Sequence, residues 1–289
     1  MALNTGISWA DHTFNPWVGC QKVSPACDNC YAERLVQRFG GEWGPGSARR
    51  RTRPANWNIV RRIQKNAAAF FAEHGRKPVV FVASLADVFD NAVPRDWRAD
   101  LWLLTQTCPD VLFLLLTKRS QNIAGMLPRD WGQGYANVWL GVTAENQTEA
   151  ERRLPILLFD IPAAGRFVSC EPLLGPIDLY GGDPDPRLGG HKAGMTLLGE
   201  WWQPGDRANG RPRRGPDFVI AGGESGPSAR ATPADWFRSL RDQCSAAGVP
   251  FHFKQWGEFN ANGDRVGVKR AGRLLDGGEH IPMPDPEAI

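Results

Sequence analysis

The unbroken apolar run Val111-Leu112-Phe113-Leu114-Leu115-Leu116, followed at once by Thr117-Lys118-Arg119, is the stretch that decides the fold. A strand with one solvated face alternates apolar and polar residues, whereas a strand buried on both faces stays apolar throughout. The run is also far too short to cross a bilayer. It therefore predicts a strand inside a parallel sheet, with a polar carboxyl end at the edge of that sheet.

Similar runs on both sides alternate with helix-like segments, so the sequence predicts an α/β protein. Strands are predicted at 14–18, 79–83, 111–116, 138–142, 166–170, 218–221 and 251–253. Helices are predicted at about 56–74, 95–107, 119–126, 146–159 and 234–247. Because strand–helix repetition gives right-handed crossovers, about seven strands predict a partial or near-complete parallel (β/α) barrel. A doubly wound open sheet is the alternative.

We expect residues 1–289 to form a single α/β barrel domain with one long interruption. Residues 180–216 hold nine Gly and five Pro, and they precede a late strand. This composition predicts a loop-rich insertion over one end of the sheet, with a hairpin around 195–202. Residues 258–289 follow the last predicted strand as a C-terminal extension.

Charge and hydropathy exclude a membrane protein and leave a nucleic-acid partner open. The net charge is only +3, the hydrophobic fraction is 42%, and no secretory signal opens the chain, so we expect a cytoplasmic protein. Basic residues nevertheless cluster in two regions: Arg49, Arg50, Arg51 and Arg53 with Arg61, Arg62 and Lys65, and later Arg211, Arg213 and Arg214. These clusters are either solvated loops and helix faces or a footprint for phosphate or nucleic acid.

Three of the six cysteines, Cys20, Cys27 and Cys30, fall within eleven residues of predicted loop. In a reducing compartment, thiols spaced so closely are more often metal ligands than disulfide partners. Three thiolates suit an iron–sulfur cluster that keeps one iron open, while zinc would need a fourth ligand such as His12 or a remote cysteine. Cys170 is a candidate fourth ligand, and Cys108 and Cys244 are predicted to be core residues.

Polar residues follow nearly every predicted strand, where chemistry gathers in a parallel barrel. Some of them will cap helices or form ion pairs. The Gly222-Gly223-Glu224 segment lets the backbone approach a ligand closely, or it forms a glycine turn capped by Ser225. The predicted cofactor-binding residues are Ser84, Asp87, Lys118, Glu145, Glu171, Gly222, Gly223, Glu224 and Lys254.

The segment from Ser8 to Cys20, Ser-Trp-Ala-Asp-His-Thr-Phe-Asn-Pro-Trp-Val-Gly-Cys, resembles the opening of a phage-associated, radical-SAM-like family of unknown function. The resemblance extends from about residue 6 to residue 258. It is carried further by Leu116-Thr117-Lys118-Arg119, Trp139-Leu140-Gly141-Val142-Thr143-Ala144-Glu145-Asn146, Glu171-Pro172-Leu173-Leu174-Gly175-Pro176, Gly222-Gly223-Glu224-Ser225-Gly226 and Phe253-Lys254-Gln255-Trp256-Gly257.

This resemblance implies a [4Fe-4S] cluster on Cys20, Cys27 and Cys30, and S-adenosyl-L-methionine (SAM) as second cofactor. Such an enzyme generates a 5′-deoxyadenosyl radical, and the basic clusters suggest a nucleotide or nucleic-acid substrate. Glu224 would hold the ammonium of SAM, as a similar Gly-Gly-Glu motif does in radical SAM enzymes, although there it follows an early strand. The cysteine gaps of six and two residues differ from the usual three and two, and Asn29 replaces the usual aromatic residue.

Two other functions fit the same residues. The three thiolates could form a non-enzymatic metal–thiolate module, with zinc or an iron–sulfur cluster, that binds nucleic acid. A cluster protein that senses redox state without cleaving SAM is the further alternative.

Overall fold

The structure is a computed structural model, and it describes residues 5–179, 200–201 and 213–285. Two compact units make up the chain. Unit 1 comprises Met1–Gly141, Pro162–Gly165 and Met283–Ile289, and unit 2 comprises Val142–Ile161 and Arg166–Pro282. Within the described ranges, no helix is both long and apolar enough to span a membrane.

A seven-stranded sheet forms the centre of the fold, as the apolar runs predicted. Its strands are β1 (His12–Phe14), β4 (Val79–Val82), β5 (Leu112–Thr117), β6 (Val138–Thr143), β7 (Gly165–Cys170), β10 (Phe218–Gly222) and β11 (Phe251–Gln255). Their order is β1-β4-β5-β6-β7-β10-β11, and the sheet is parallel. Seven strands are one fewer than a closed eight-stranded barrel requires.

Four short strands form two small antiparallel pairs outside this sheet. They are β2 (Trp17–Val18) with β3 (Arg50–Arg51), and β8 (Glu200–Trp201) with β9 (Arg213–Arg214). The described α-helices are α1 (Tyr31–Arg38), α2 (Pro54–His74), α3 (Arg95–Gln106), α4 (Ile123–Met126), α5 (Gln147–Pro155), α6 (Ala234–Ala247) and α7 (Val268–Ala271).

Burial explains why these strands have continuous apolar sequences. Every residue of β4, β6 and β10 is buried, as is all of β5 except Leu116. Each buried Val, Leu, Ile or Phe side chain contributes roughly 1.5–3 kcal/mol relative to full exposure. The strands and the helices α2, α3 and α6 therefore lie close to their predicted positions.

Three predicted elements are broken, each by an identifiable residue. Pro16, which has no N–H, separates β1 from β2 within the single strand expected at 14–18. Pro155 ends α5, and residues Ile156–Asp160 continue as a π-helix. Arg119 has φ −119° and ψ 54°, so the helix expected at 119–126 does not begin there; a 3₁₀ turn (Ser120–Asn122) and then α4 follow.

Most of the insertion predicted at 180–216, including most of the hairpin expected at 195–202, lies outside the described residues. Within it, the backbones of β8 and β9 pair with each other. The C-terminal extension is described up to residue 285, and it lies along the edge strand β11. Phe253 donates its N–H to the His280 carbonyl (2.8 Å), and Trp256 donates its N–H to the Gly272 carbonyl (3.1 Å).

Candidate metal centre

The cysteine loop of unit 1, residues 19–30, begins at a glycine that the backbone requires. Gly19 has φ +114°, a conformation that disfavours side chains, and an added Cβ would lie 3.1 Å from Arg49 Cδ. Its N–H donates to the Leu85 carbonyl just after β4 (3.0 Å), and the Cys20 carbonyl accepts from the Gly44 N–H (3.0 Å). The loop is thereby fixed to the carboxyl end of β4.

The other end of the cysteine loop leads directly into α1. A 3₁₀ turn (Pro25–Cys27) carries Cys27, and Cys30 is the N-cap residue of α1. The Tyr31 hydroxyl donates to the Ser84 carbonyl (2.7 Å), which ties this end to the same strand. All three loop thiols are partly exposed, whereas Cys108, Cys170 and Cys244 are buried.

Asp87 is the polar centre of this region, and its carboxylate is fully engaged. It accepts hydrogen bonds from the Thr117 hydroxyl (2.8 and 2.9 Å), the Phe89 N–H (2.9 Å) and the Lys118 N–H (3.3 Å). It also pairs with Arg119, whose Nη1 lies 2.8 Å from Asp87 Oδ2, and both side chains are nearly inaccessible. These bonds connect the segment after β4 to the end of β5.

Arg119 extends that network to the cysteine loop. Its Nη1 also lies 3.5 Å from Cys20 Sγ, and its Nη2 donates to the Gln21 carbonyl (3.1 Å). Burial lowers the pKa of the Arg119 guanidinium, because it disfavours the charged form. Asp87 and Cys20 raise the pKa by more, so it lies above its usual value. A permanent positive charge therefore lies beside the first cysteine sulfur.

Burial raises the pKa of the Cys20 thiol to about 11; the Asp87 charge adds to this increase and Arg119 opposes it. The free thiol is consequently protonated at neutral pH. A metal bound there would have to displace that proton, as metals do when they bind cysteine.

Ser84 and Lys118, both predicted to bind a cofactor, have different surroundings. The Ser84 hydroxyl accepts from Asn15 Nδ2 (2.9 Å), and Asn15 Oδ1 accepts from the Leu85 N–H (2.7 Å). Ala83, just before Ser84, has φ +63°, which is uncommon for a residue with a side chain. The backbone N–H of Lys118 donates to Asp87 Oδ2 (3.3 Å), and Lys118 is partly exposed.

The donor set suits an iron–sulfur cluster in its chemistry, because it offers three partly exposed thiols, none of them in a disulfide, in one loop. As placed, however, no three His, Cys, Asp or Glu side chains of the described ranges converge on a point where they could hold a metal ion. His12, the alternative fourth ligand for zinc, is buried in β1, and burial lowers its pKa. Cluster binding would therefore require the loop thiols to move closer together.

In unit 2, Glu145 forms a buried ion pair rather than facing open space. Arg153 Nη1 lies 2.8 Å from Glu145 Oε2, and both side chains are completely inaccessible. The same guanidinium donates to the Thr143 carbonyl (2.7 Å) and pairs with Glu149 (2.6 Å). Glu145 thus joins the end of β6 to α5.

Glu171 and Lys254 form an ion pair with each other after β7 and within β11, and both remain partly exposed. Gly222, at the end of β10, is their neighbour, since a Cβ added there would lie 3.4 Å from the Glu171 side chain. Three of the predicted residues of unit 2 are therefore brought together at the carboxyl ends of their strands.

The other two residues of the Gly-Gly-Glu motif have a structural role in this fold. A Cβ on Gly223 would lie 1.9 Å from the Trp256 carbonyl oxygen, so two backbone segments meet there without side chains. Glu224 is buried, and its carboxylate accepts from the Arg230 N–H (2.8 Å), Nε (2.9 Å) and Nη2 (2.7 Å). An ammonium group would have to compete with Arg230 for this carboxylate.

Sequence reasoning missed the arginines that occupy these carboxylates. Arg153 and Arg230 follow their partners Glu145 and Glu224 by eight and six residues, spacings with no common motif. Arg119 was visible beside Lys118 at a strand end, but its contact with Cys20 spans 99 positions. Trp256, which belongs to one of the motifs that carry the family resemblance, is buried and donates its indole N–H to the Leu274 carbonyl (2.8 Å).

Comparison with known proteins places the chain in one family. Residues 4–284 match the family described as "Protein of unknown function (DUF5131)", and the chain therefore belongs to it. Neither the comparison with curated proteins nor that with solved structures gave a significant match.

Proposed function

We propose that this chain is an iron–sulfur protein of the radical SAM type, with a [4Fe-4S] cluster on Cys20, Cys27 and Cys30. The observation that supports this function is the anchoring of three partly exposed thiols at the carboxyl ends of β4 and β5. In parallel α/β proteins this is the edge where chemistry takes place. The resemblance to radical-SAM-like proteins supports the same assignment.

The residues of unit 1 have separable tasks in this proposal. Gly19 and Tyr31 fix the two ends of the loop, and Arg119 offsets the charge of the Cys20 thiolate. Asp87 holds Arg119 in place. When bound, the cluster and SAM would supply the radical chemistry, while the residues of the chain would hold and position them.

The proposed substrate is a nucleotide or nucleic acid, and it is supported by the cluster of basic side chains that precedes and enters α2. Arg49 does not belong to that cluster, because it is buried in an ion pair with Asp90 (2.8 Å). Arg50, Arg51, Arg61, Arg62 and Lys65 are exposed. Arg211, in the second basic cluster, lies outside the described residues.

Anaerobic purification followed by iron, sulfide and 5′-deoxyadenosine assays tests the function. We expect Cys20→Ala, Cys27→Ala and Cys30→Ala each to remove most of the iron. Cys108→Ala is the matched control, because Cys108 is buried away from the loop and should leave iron unchanged. Full iron loading in the triple loop variant would contradict the proposal.

The second candidate is a metal–thiolate module that does not cleave SAM, and the engagement of Glu224 by Arg230 favours it. We expect Glu224→Gln to lower stability, because a bidentate pair is lost, and to leave SAM affinity unchanged. A fall in SAM affinity at unchanged stability would restore the role that the sequence predicted for Glu224. A colourless protein with one zinc ion would favour this candidate, and a brown one with iron and sulfide the first.

A further inference from the structure

Unit 1 contains a groove whose lining residues are not ligands of the proposed iron–sulfur cluster. Residues of β3, α2 and α3, with those just after β3 and α3, line this groove, whose volume is about 770 Å³. This volume is within the range of small-molecule sites. Arg51, Thr52, Pro54, Trp57, Arg61, Gln64, Lys65, Asp100, Leu103, Leu104, Thr107 and Cys108 line it.

Three cations and one carboxylate give the groove its charge. Arg61 and Lys65 are four residues apart on α2, so they share one side of the helix. Arg51 Nη2 lies 2.6 Å from Asp100 Oδ2, and this pair is half-exposed. Among the described residues, Asp100 is the one acid of the lining, and it neutralises Arg51. Two positive charges, those of Arg61 and Lys65, therefore remain in excess along the groove.

The neutral polar groups of the lining are already used by the protein. Gln64 Nε2 donates to Asp110 Oδ2 (2.6 Å), and its Oε1 accepts from the Asp110 N–H (3.0 Å). The Thr107 hydroxyl donates to the Leu103 carbonyl (3.0 Å). Recognition of a ligand would therefore depend on the cations.

The rest of the lining is apolar. Leu103 is 58% exposed although it is a large aliphatic residue, and Leu104 is buried beside it. Trp57 is buried, and the Arg51 guanidinium lies 4.8 Å from its ring centroid. An exposed leucine in the same lining as two excess positive charges fits a ligand that joins an anionic group to an apolar one.

We propose that this groove binds an organic phosphate of nucleotide size, with the phosphate on Arg61 and Lys65 and the base against Leu103. Guanidinium and ammonium groups are the side chains that bind phosphate best. This inference rests on the nucleotide or nucleic-acid substrate of the proposed function and deepens it, but its test does not require an iron–sulfur cluster. The phosphate belongs either to a free nucleotide or to a nucleotide within a single strand of nucleic acid.

Calorimetric titration of the full chain with adenosine 5′-monophosphate, adenosine and a short oligodeoxythymidine, at low and high salt, tests the groove. We expect the Arg61→Gln, Lys65→Gln double variant to bind the phosphate-bearing probes at least about tenfold more weakly. Adenosine, which lacks the phosphate, should bind the unaltered chain about tenfold more weakly than its monophosphate. Leu103→Glu should weaken binding as well, through charge repulsion.

Arg95→Gln is the matched control, because Arg95 is exposed on α3, does not line the groove and does not belong to the basic cluster around α2. Its affinities should be unchanged, and thermal unfolding should show that every variant is folded. Tighter binding of the oligonucleotide, with a steep salt dependence, would identify a strand as ligand; binding of the monophosphate alone would identify a free nucleotide. The proposal is overturned if neither phosphate-bearing probe binds at low salt, or if Arg95→Gln weakens binding as much as the double variant.

Discussion

Unit 1 and unit 2 each place a buried carboxylate and an arginine after parallel strands, and the two pairs differ in where the arginine directs its donors. Arg119 pairs with Asp87 through Nη1 and still reaches Cys20 and Gln21. Arg230 instead directs its N–H, Nε and Nη2 to the carboxylate of Glu224. The Asp87–Arg119 pair therefore connects a strand end to Cys20, a candidate metal ligand. In the Glu224–Arg230 pair, three donors of Arg230 bind one carboxylate.

This difference shows why a polar residue at a strand end is a weak indicator of function by itself. Asp87 and Glu224 are both buried and both accept several hydrogen bonds. The partner of Asp87 also contacts a thiol, and this second contact is what suggests chemistry in unit 1. Three variants and one change of pH, each with its own control, test this difference between the two units.

Gly223→Ala should have the largest effect, because the new Cβ would lie 1.9 Å from a backbone oxygen that cannot rotate away. We expect a loss of about 4 kcal/mol or more in the free energy of unfolding, measured by denaturant titration. Gly222→Ala is the control, since the nearest atoms to its Cβ would belong to the Glu171 side chain, at 3.4 Å. Equal losses in both variants would contradict a structural role specific to Gly223.

Asp87→Asn should come next, because it leaves the nearly inaccessible Arg119 without its counter-charge. Removing one partner of a buried pair costs about 3 kcal/mol. Asp100→Asn breaks the half-exposed pair with Arg51, and it should cost less than about 1 kcal/mol. If the two variants unfold at the same denaturant concentration, the Asp87–Arg119 pair contributes no more to the free energy of unfolding than a surface pair does.

Arg119→Gln should weaken cluster binding without abolishing it. The variant removes the positive charge 3.5 Å from Cys20 Sγ but leaves all three thiols in place. After reconstitution, we expect iron retention to lie between that of the unaltered chain and that of Cys20→Ala. Arg230→Gln should retain iron fully, because Arg230 binds the Glu224 carboxylate rather than a cysteine sulfur. Loss of iron in both variants would remove the distinction between the two arginines.

Acid pH should have the smallest effect, through one buried histidine in each unit. Burial is the main cause that lowers the pKa of both His12 and His252. A lowered pKa means that the unfolded chain binds the proton first, so stability is complete above about pH 6.5 and falls as the pH decreases toward the folded values. A tenfold difference in proton affinity between the folded and unfolded chain corresponds to about 1.4 kcal/mol in the free energy of unfolding.

Unfolding titrations at pH 7.5 and 5.5 check this dependence. His252 is fully buried and its Nδ1 lies 2.8 Å from the Pro282 carbonyl oxygen, so His252→Gln should flatten the pH dependence more than a change at exposed His74. An unchanged slope in His252→Gln would show that the acid sensitivity arises elsewhere.

The sheet could be predicted from the sequence because burial of both faces of a strand leaves an apolar run. The runs at 79–83 and 218–221 each match a strand within one residue, and the helix expected at 234–247 matches α6. Interruptions within the predicted strands and helices were harder to predict. Arg119, the first residue of the helix expected at 119–126, is not helical, and its side chain pairs with a carboxylate 32 positions earlier in the chain.

The candidate site could be predicted only in part, for the same reason. Sequence spacing showed that three thiols share one loop, because that information is local. It could not show that Glu145 and Glu224 have arginine partners, since helix and loop geometry decide which side chains meet. The run around Arg49 likewise looked uniform, yet it contains one buried residue and several exposed ones.

The extension along β11 has a consequence for how the chain is made. Strand β11 is an edge strand, and His280, whose carbonyl accepts from Phe253 of that strand, comes later in the chain. During synthesis on a ribosome the strand therefore emerges before His280 does. An unpaired edge is a template for association with other chains. A nascent chain paused just after residue 258 would expose that template until the extension emerges.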